Sequence, residues 1–123
     1  MKVDVSGTRA FYASITESSL CNCGYCRNYR AQIKSAAPNV AIYLDSLGID
    51  IEKPLETSPL EPDENGMLEY CGCQYIVLGN CEPEYHHEID NIEFRTAKFC
   101  PSTGIEQEHF VLEFSPIKLK CIF

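Results

Sequence analysis

His109-Phe110-Val111-Leu112-Glu113-Phe114 decides the fold class of this chain. Phe110, Leu112 and Phe114 alternate with His109, Val111 and Glu113, the period of two expected of a half-buried strand. Downstream, Lys118 to Phe123 repeats the pattern, with Leu119, Cys121 and Phe123 on one face and Lys118 and Lys120 on the other. Pro116 has no amide hydrogen to give a ladder, so it must sit between strands, at an edge or at a bulge. Upstream, Pro101-Ser102-Thr103-Gly104 reads as a turn. Asn91 to Phe99 and Leu68 to Leu78 read as two more strands. Strand segments with no helix between them favour antiparallel pairing.

Further upstream the period changes. Tyr25, Tyr29, Ile33 and Ala36 fall three or four apart while Arg27, Arg30 and Lys34 take the other side, as in an amphipathic helix. Pro38 ends that helix and opens a second, whose apolar stripe is Val40, Tyr43, Leu44 and Leu47. Gly48 is its expected left-handed stop. The tyrosines on both stripes read as hydrogen-bonded core residues. Near the N-terminus, Phe11, Ala13 and Ile15 alternate with Tyr12, Ser14 and Thr16, which predicts another strand. The expectation is an α+β fold with a helical hairpin packed on an antiparallel β-sheet. A single domain over residues 1–123 should hold one core of Phe11, Ile15, Tyr29, Ile33, Leu44, Leu47, Phe94, Phe110, Leu112 and Phe114.

The net charge is −8 over 123 residues. Such a balance disfavours nucleic acid and anionic membranes as partners, because both are bound by clustered positive charge. No apolar run approaches the ~20 residues of a membrane span, and Met1 to Ser6 has no apolar stretch resembling a secretory signal. The acidic residues concentrate in 50–66, where Pro54, Pro59 and Pro62 forbid regular helix and Asn65-Gly66 signals a turn. This segment reads as an acidic Pro-rich connecting loop, or as a surface for a protein with a basic face.

Eight cysteines are the unusual feature of the composition. Cys21-Asn22-Cys23-Gly24-Tyr25-Cys26 is the densest chemistry. Cys23 and Cys26 form C-x2-C at the start of the first expected helix, where unpaired amides favour negative sulfur. Cys71-Gly72-Cys73 is the natural complement, since residues two apart in a strand face the same way. Cys23, Cys26, Cys71 and Cys73 would then close a structural zinc site, with Cys21 as the substitute ligand. Two other readings stay open. Cys23-Gly24-Tyr25-Cys26 has the local layout of a thiol–disulfide oxidoreductase, though the βαβ alternation of that fold is missing. Alternatively the cysteines are free thiols of a reduced cytoplasm. Cys81, Cys100 and Cys121 read as core thiols, and His86-His87 as an exposed turn pair. No hydrolase elbow and no glycine-rich phosphate loop is present.

The strings Cys21 to Tyr29, Leu47 to Pro54, Tyr70 to Gly79 and Glu108 to Leu119 together resemble a group of small bacterial proteins without assigned activity, each about this long. The resemblance implies a bacterial, cytoplasmic, single-domain protein and carries no activity over. The expected function is therefore a non-enzymatic binding or interaction module stabilised by cysteine-ligated zinc. The alternative is an oxidoreductase using Cys23 and Cys26.

Overall fold

A computed structural model describes residues 1–123. The chain runs β1 (Lys2–Val3), α1 (Val5–Ser14), α2 (Gly24–Ala36), α3 (Pro38–Ser46), β2 (Glu56–Pro59), β3 (Met67–Asn80), β4 (His86–Ile89), β5 (Ile92–Thr96), β6 (His109–Ser115) and β7 (Ile117–Lys120). All pairings are antiparallel, in the order β1-β3-β6-β5-β4, and β2 and β7 also pair with β3. The fold is the expected mixed α+β, with α2 and α3 laid on a curled sheet. Tyr29 and Ile33 of α2 and Val40 and Leu44 of α3 are fully buried in one core with Tyr75, Phe94, Leu112 and Phe114.

Strand β3 organises the sheet. Met67–Tyr70 pairs with β7 and Cys73–Leu78 pairs with β6. Leu68 and Tyr70 face the core in the first part, and Cys73, Tyr75 and Val77 face it in the second. The inward alternation therefore slips by one residue across Cys71–Gly72. On the facing strands it slips at the same level, from Phe114 to Ile117 across Ser115–Pro116, whose peptide bond is cis. Both sides slip together, so Tyr70 still meets Ile117 and Cys73 still meets Phe114. Pro116 lies between two strands, where its missing N–H breaks no ladder bond.

Local signals account for the turns. Helix α3 ends with Gly48 at φ +88°, and the amides of Gly48 and Ile49 donate to the carbonyls of Asp45 and Leu44. These are the two closing bonds of a left-handed C-terminal cap. Asp90 and Asn91, at φ +51° and +67°, join β4 to β5. Two successive positive φ values make the type I′ geometry that suits a two-residue hairpin.

Three expectations are corrected. Phe11–Thr16 is not a strand: residues 5–14 form helix α1, capped by the Asp4 carboxylate accepting the Gly7 amide at 2.9 Å. Thr8, Phe11, Tyr12 and Ile15 share its inner face, and a six-residue window cannot separate that 3.6 period from alternation. Phe11 and Ile15 pack against the core rather than within it. Second, the acidic segment is not wholly a loop. Glu56–Pro59 pairs with β3 as a short edge strand, a place where proline is tolerated. Third, Cys100 is exposed rather than in the core, while Cys81 and Cys121 are half-buried.

Candidate metal centre

The first turn of α2 carries the densest group of potential ligands. Cys23 is its N-cap residue, in extended conformation, and Cys26 lies on its first turn. Cys21 precedes them, following a short 3-10 turn over Glu17–Ser19. The sulfurs of Cys21, Cys23 and Cys26 all lie within 4.8 Å of one another, and no disulfide joins any of the cysteines. A tetrahedral zinc with Zn–S of about 2.3 Å places its sulfurs about 3.8 Å apart. Small rotations of the exposed Cys21 and Cys23 side chains toward the half-buried Cys26 would close that difference. The cluster can hold a metal ion.

The backbone beneath the cysteines is anchored from three sides. The Tyr70 hydroxyl on β3 donates to the Tyr25 carbonyl at 2.7 Å, and Asn28 accepts the Ile122 amide at 2.9 Å. Arg30, one turn further along α2, donates to the Cys21 carbonyl at 2.7 Å and folds the preceding segment back over the helix. The Phe123 ring covers Gly24 so closely that a Cβ there would lie 2.8 Å from it. Any side chain larger than glycine at position 24 would have to displace the Phe123 ring.

Electrostatics divide the labour among the thiols. The amide of Cys26, with the Cys21 and Cys26 thiols and the Tyr25 amide, lowers the pKa of Cys23. These are the unpaired amides that any helix start presents to an anion. Burial, reinforced by the thiols of Cys21 and Cys23, pushes Cys26 up to about 12. Cys23 is thus shifted toward the thiolate and Cys26 toward the protonated thiol.

Cys71 and Cys73 stand apart from this group. Cys73 is fully buried beside the Tyr29 hydroxyl, and burial raises its pKa to about 12. Cys71 is exposed, its thiol 3.7 Å from the Glu69 carboxylate. The slip in alternation at Cys71–Gly72 separates the two side chains, so the same-face rule for a strand does not hold across this dipeptide. Of the four ligands expected from the sequence, Cys23 and Cys26 lie in the cluster and Cys71 and Cys73 do not. Cys21, the substitute ligand, is the third member of the cluster, and its C-x-C spacing to Cys23 is the signal for it. His86 and His87 are exposed but lie on strand β4 rather than in the expected turn, and His109 lies on β6; all three are outside the cluster.

Beside the thiols lies a recess of about 120 Å³, whose walls include Cys21, Cys26, Arg30, Leu55, Glu56 and Thr57. It lies between the start of α2 and the segment that leads into β2. An α+β protein with a three-thiol cluster at a helix start is the class that fold and site define. Among known proteins no family model, no curated protein and no solved structure matches the chain. No helix is long and apolar enough to cross a membrane.

Proposed function

We propose that this chain is a non-enzymatic binding module whose Cys21, Cys23 and Cys26 thiolates hold a zinc ion. The observation that carries the reading is the mutual approach of three sulfurs within 4.8 Å at a helix start. Thiolate ligands suit zinc, and the helix amides offset part of the negative charge that three of them bring. The module works in a reducing, cytoplasmic setting, where its thiols stay free. Its partner is a protein with a basic surface, met by the exposed acidic residues Glu61, Asp63 and Glu64. Titration of reduced, metal-stripped protein with zinc against a chromophoric chelator tests the metal site. Uptake of about one equivalent is expected, lost in Cys23→Ser and Cys26→Ser and kept in Cys71→Ser. A parent protein that takes up no zinc overturns the reading.

A second reading, thiol–disulfide exchange with Cys23 as nucleophile and Cys26 as resolving thiol, is favoured by the opposite pKa shifts of these neighbours. It is tested by the pH dependence of Cys23 alkylation in metal-free protein. The midpoint must fall below the free-thiol value of about 8.5; a midpoint at or above it ends this reading.

A further inference from the structure

We propose that a second recess, beside Phe99, binds a small aromatic carboxylate. This recess has a volume of about 370 Å³ and is lined by Pro83, Arg95, Thr96, Lys98, Phe99 and Glu113. Ligand sites run from about 300 to 1,000 Å³, so the space suits a small molecule. Arg95 and Glu113 stand opposite each other on β5 and β6, next to the core residues Phe94 and Phe114 and so on the other face of the sheet. The site shares no residue with the thiol cluster.

Its polar groups are held in place. The Glu113 carboxylate accepts Arg95 Nε at 2.7 Å and Gln74 Nε2 at 2.8 Å, and Arg95 Nη2 donates to Ser115 Oγ at 2.9 Å. Arg95 Nη1 has no partner in the protein, and Lys98 is exposed and forms no ion pair. Two cations against one carboxylate leave one positive charge, the complement of a monoanion. The recess lined by Arg9, Lys34 and Lys53 differs, because there Asp45, Glu52 and the carbonyls of Tyr12 and Ile15 already engage the cations. Phe99 supplies the apolar part. Its side chain is 87% exposed, more than any other large apolar residue. Its backbone is nevertheless pinned: the Phe99 carbonyl accepts Gln74 Nε2 at 2.8 Å, and the Ala97 amide donates to Val111 at 2.9 Å. The ring therefore stands at the rim of the recess, free to pack against a planar ligand.

Nuclear magnetic resonance titrations with benzoate, acetate and benzyl alcohol test the site. Benzoate should bind more tightly than either, since only it carries both charge and ring, and should shift the amides of Arg95 to Phe99 and of Glu113. Lys98→Gln should weaken benzoate about tenfold, the loss of one hydrogen bond to a charged group. Phe99→Ala should reduce benzoate to the affinity of acetate. Both replace exposed side chains and should melt with the parent. Lys34→Gln, in the other cationic recess, should bind benzoate as the parent does. Absence of saturable benzoate binding, benzyl alcohol binding as tightly as benzoate, or parent-like benzoate affinity in both Lys98→Gln and Phe99→Ala overturns the proposal.

Discussion

Two short cysteine motifs, each with a glycine inside, have opposite fates in this molecule. Cys23-Gly24-Tyr25-Cys26 begins a helix at the surface, and its two sulfurs converge with that of Cys21. Cys71-Gly72-Cys73 lies within a long strand, and its two side chains part, one to solvent and one to the core. At a helix start the residue before the helix and one on its first turn share a face, and free amides draw the sulfurs toward them. In β3 the strand must serve β6 and β7 in turn, and the sheet's curl shifts the inward face just where the motif falls. Glycine plays different parts: Gly24 admits the Phe123 ring, while Gly72 sits in the slip between two core-facing runs.

The contrast between buried strand and exposed helix start can be broken by measurement. The largest effect belongs to the core facing Cys73. Leu112→Ala removes a fully buried side chain opposite Tyr75 and should cost roughly 2–5 kcal/mol in urea denaturation. A loss under about 0.5 kcal/mol, the surface range, would reverse the assignment of strand faces.

Next, Cys73→Ser should cost about 1–3 kcal/mol, because a hydroxyl enters a site built for sulfur beside Tyr29. Cys71→Ser should stay within about 0.5 kcal/mol of the parent. Equal costs for the two serine variants would mean that β3 does not slip at Gly72.

The same buried thiol sets an alkaline limit. Burial raises Cys73 from its ordinary 9.0 to about 12 in the folded state. The unfolded chain therefore loses that proton first as pH rises. Stability from Cys73 is complete below about pH 9 and is lost progressively as pH approaches about 12. Denaturation midpoints across that window should fall less steeply in Cys73→Ala than in the parent. Identical slopes would place the thiol in contact with water.

The smallest effect concerns metal removal. A metal joining α2 to β3 through Cys73 would add several kcal/mol to folding, and a strong chelator would remove it. The three clustered thiols lie inside one six-residue segment, which limits the difference between folded and unfolded affinity for a metal held there. Chelation of zinc-loaded protein should release hydrogen-exchange protection at the first turn of α2 and leave β3 and β6 protected. Loss of protection in β3 would restore the cross-link between helix and strand.

Some of this was open to reading from residues alone because its physics is local. The period of Tyr25, Tyr29 and Ile33, the Pro38 break, the Gly48 stop and the alternation of Phe110, Leu112 and Phe114 each draw on a window shorter than one element. The C-x-C-x2-C segment is likewise local, so its spacing marks the start of α2 as a candidate metal site, with Cys23 and Cys26 as expected ligands and Cys21 only as a substitute. What lay beyond such windows came out differently. Phe11 to Thr16 satisfies two periods at once, and only the docking of Thr8 and Tyr12 against Leu78 and Ile76 selects the helix. Glu56–Pro59 is a strand because β3 offers it a ladder, a fact no proline-rich acidic segment discloses. Whether Cys71 joins Cys73 depended on where a curled sheet shifts its inward face, and that place is set by the junction of β6 and β7, more than forty residues further along the chain. Spacing and periodicity thus determined helices α2 and α3, most of the strands and the closeness of the cysteines at the start of α2, because those interactions close within a few residues. The partition of the cysteines between surface and core was decided by pairing between distant strands, which only the folded chain brings into register.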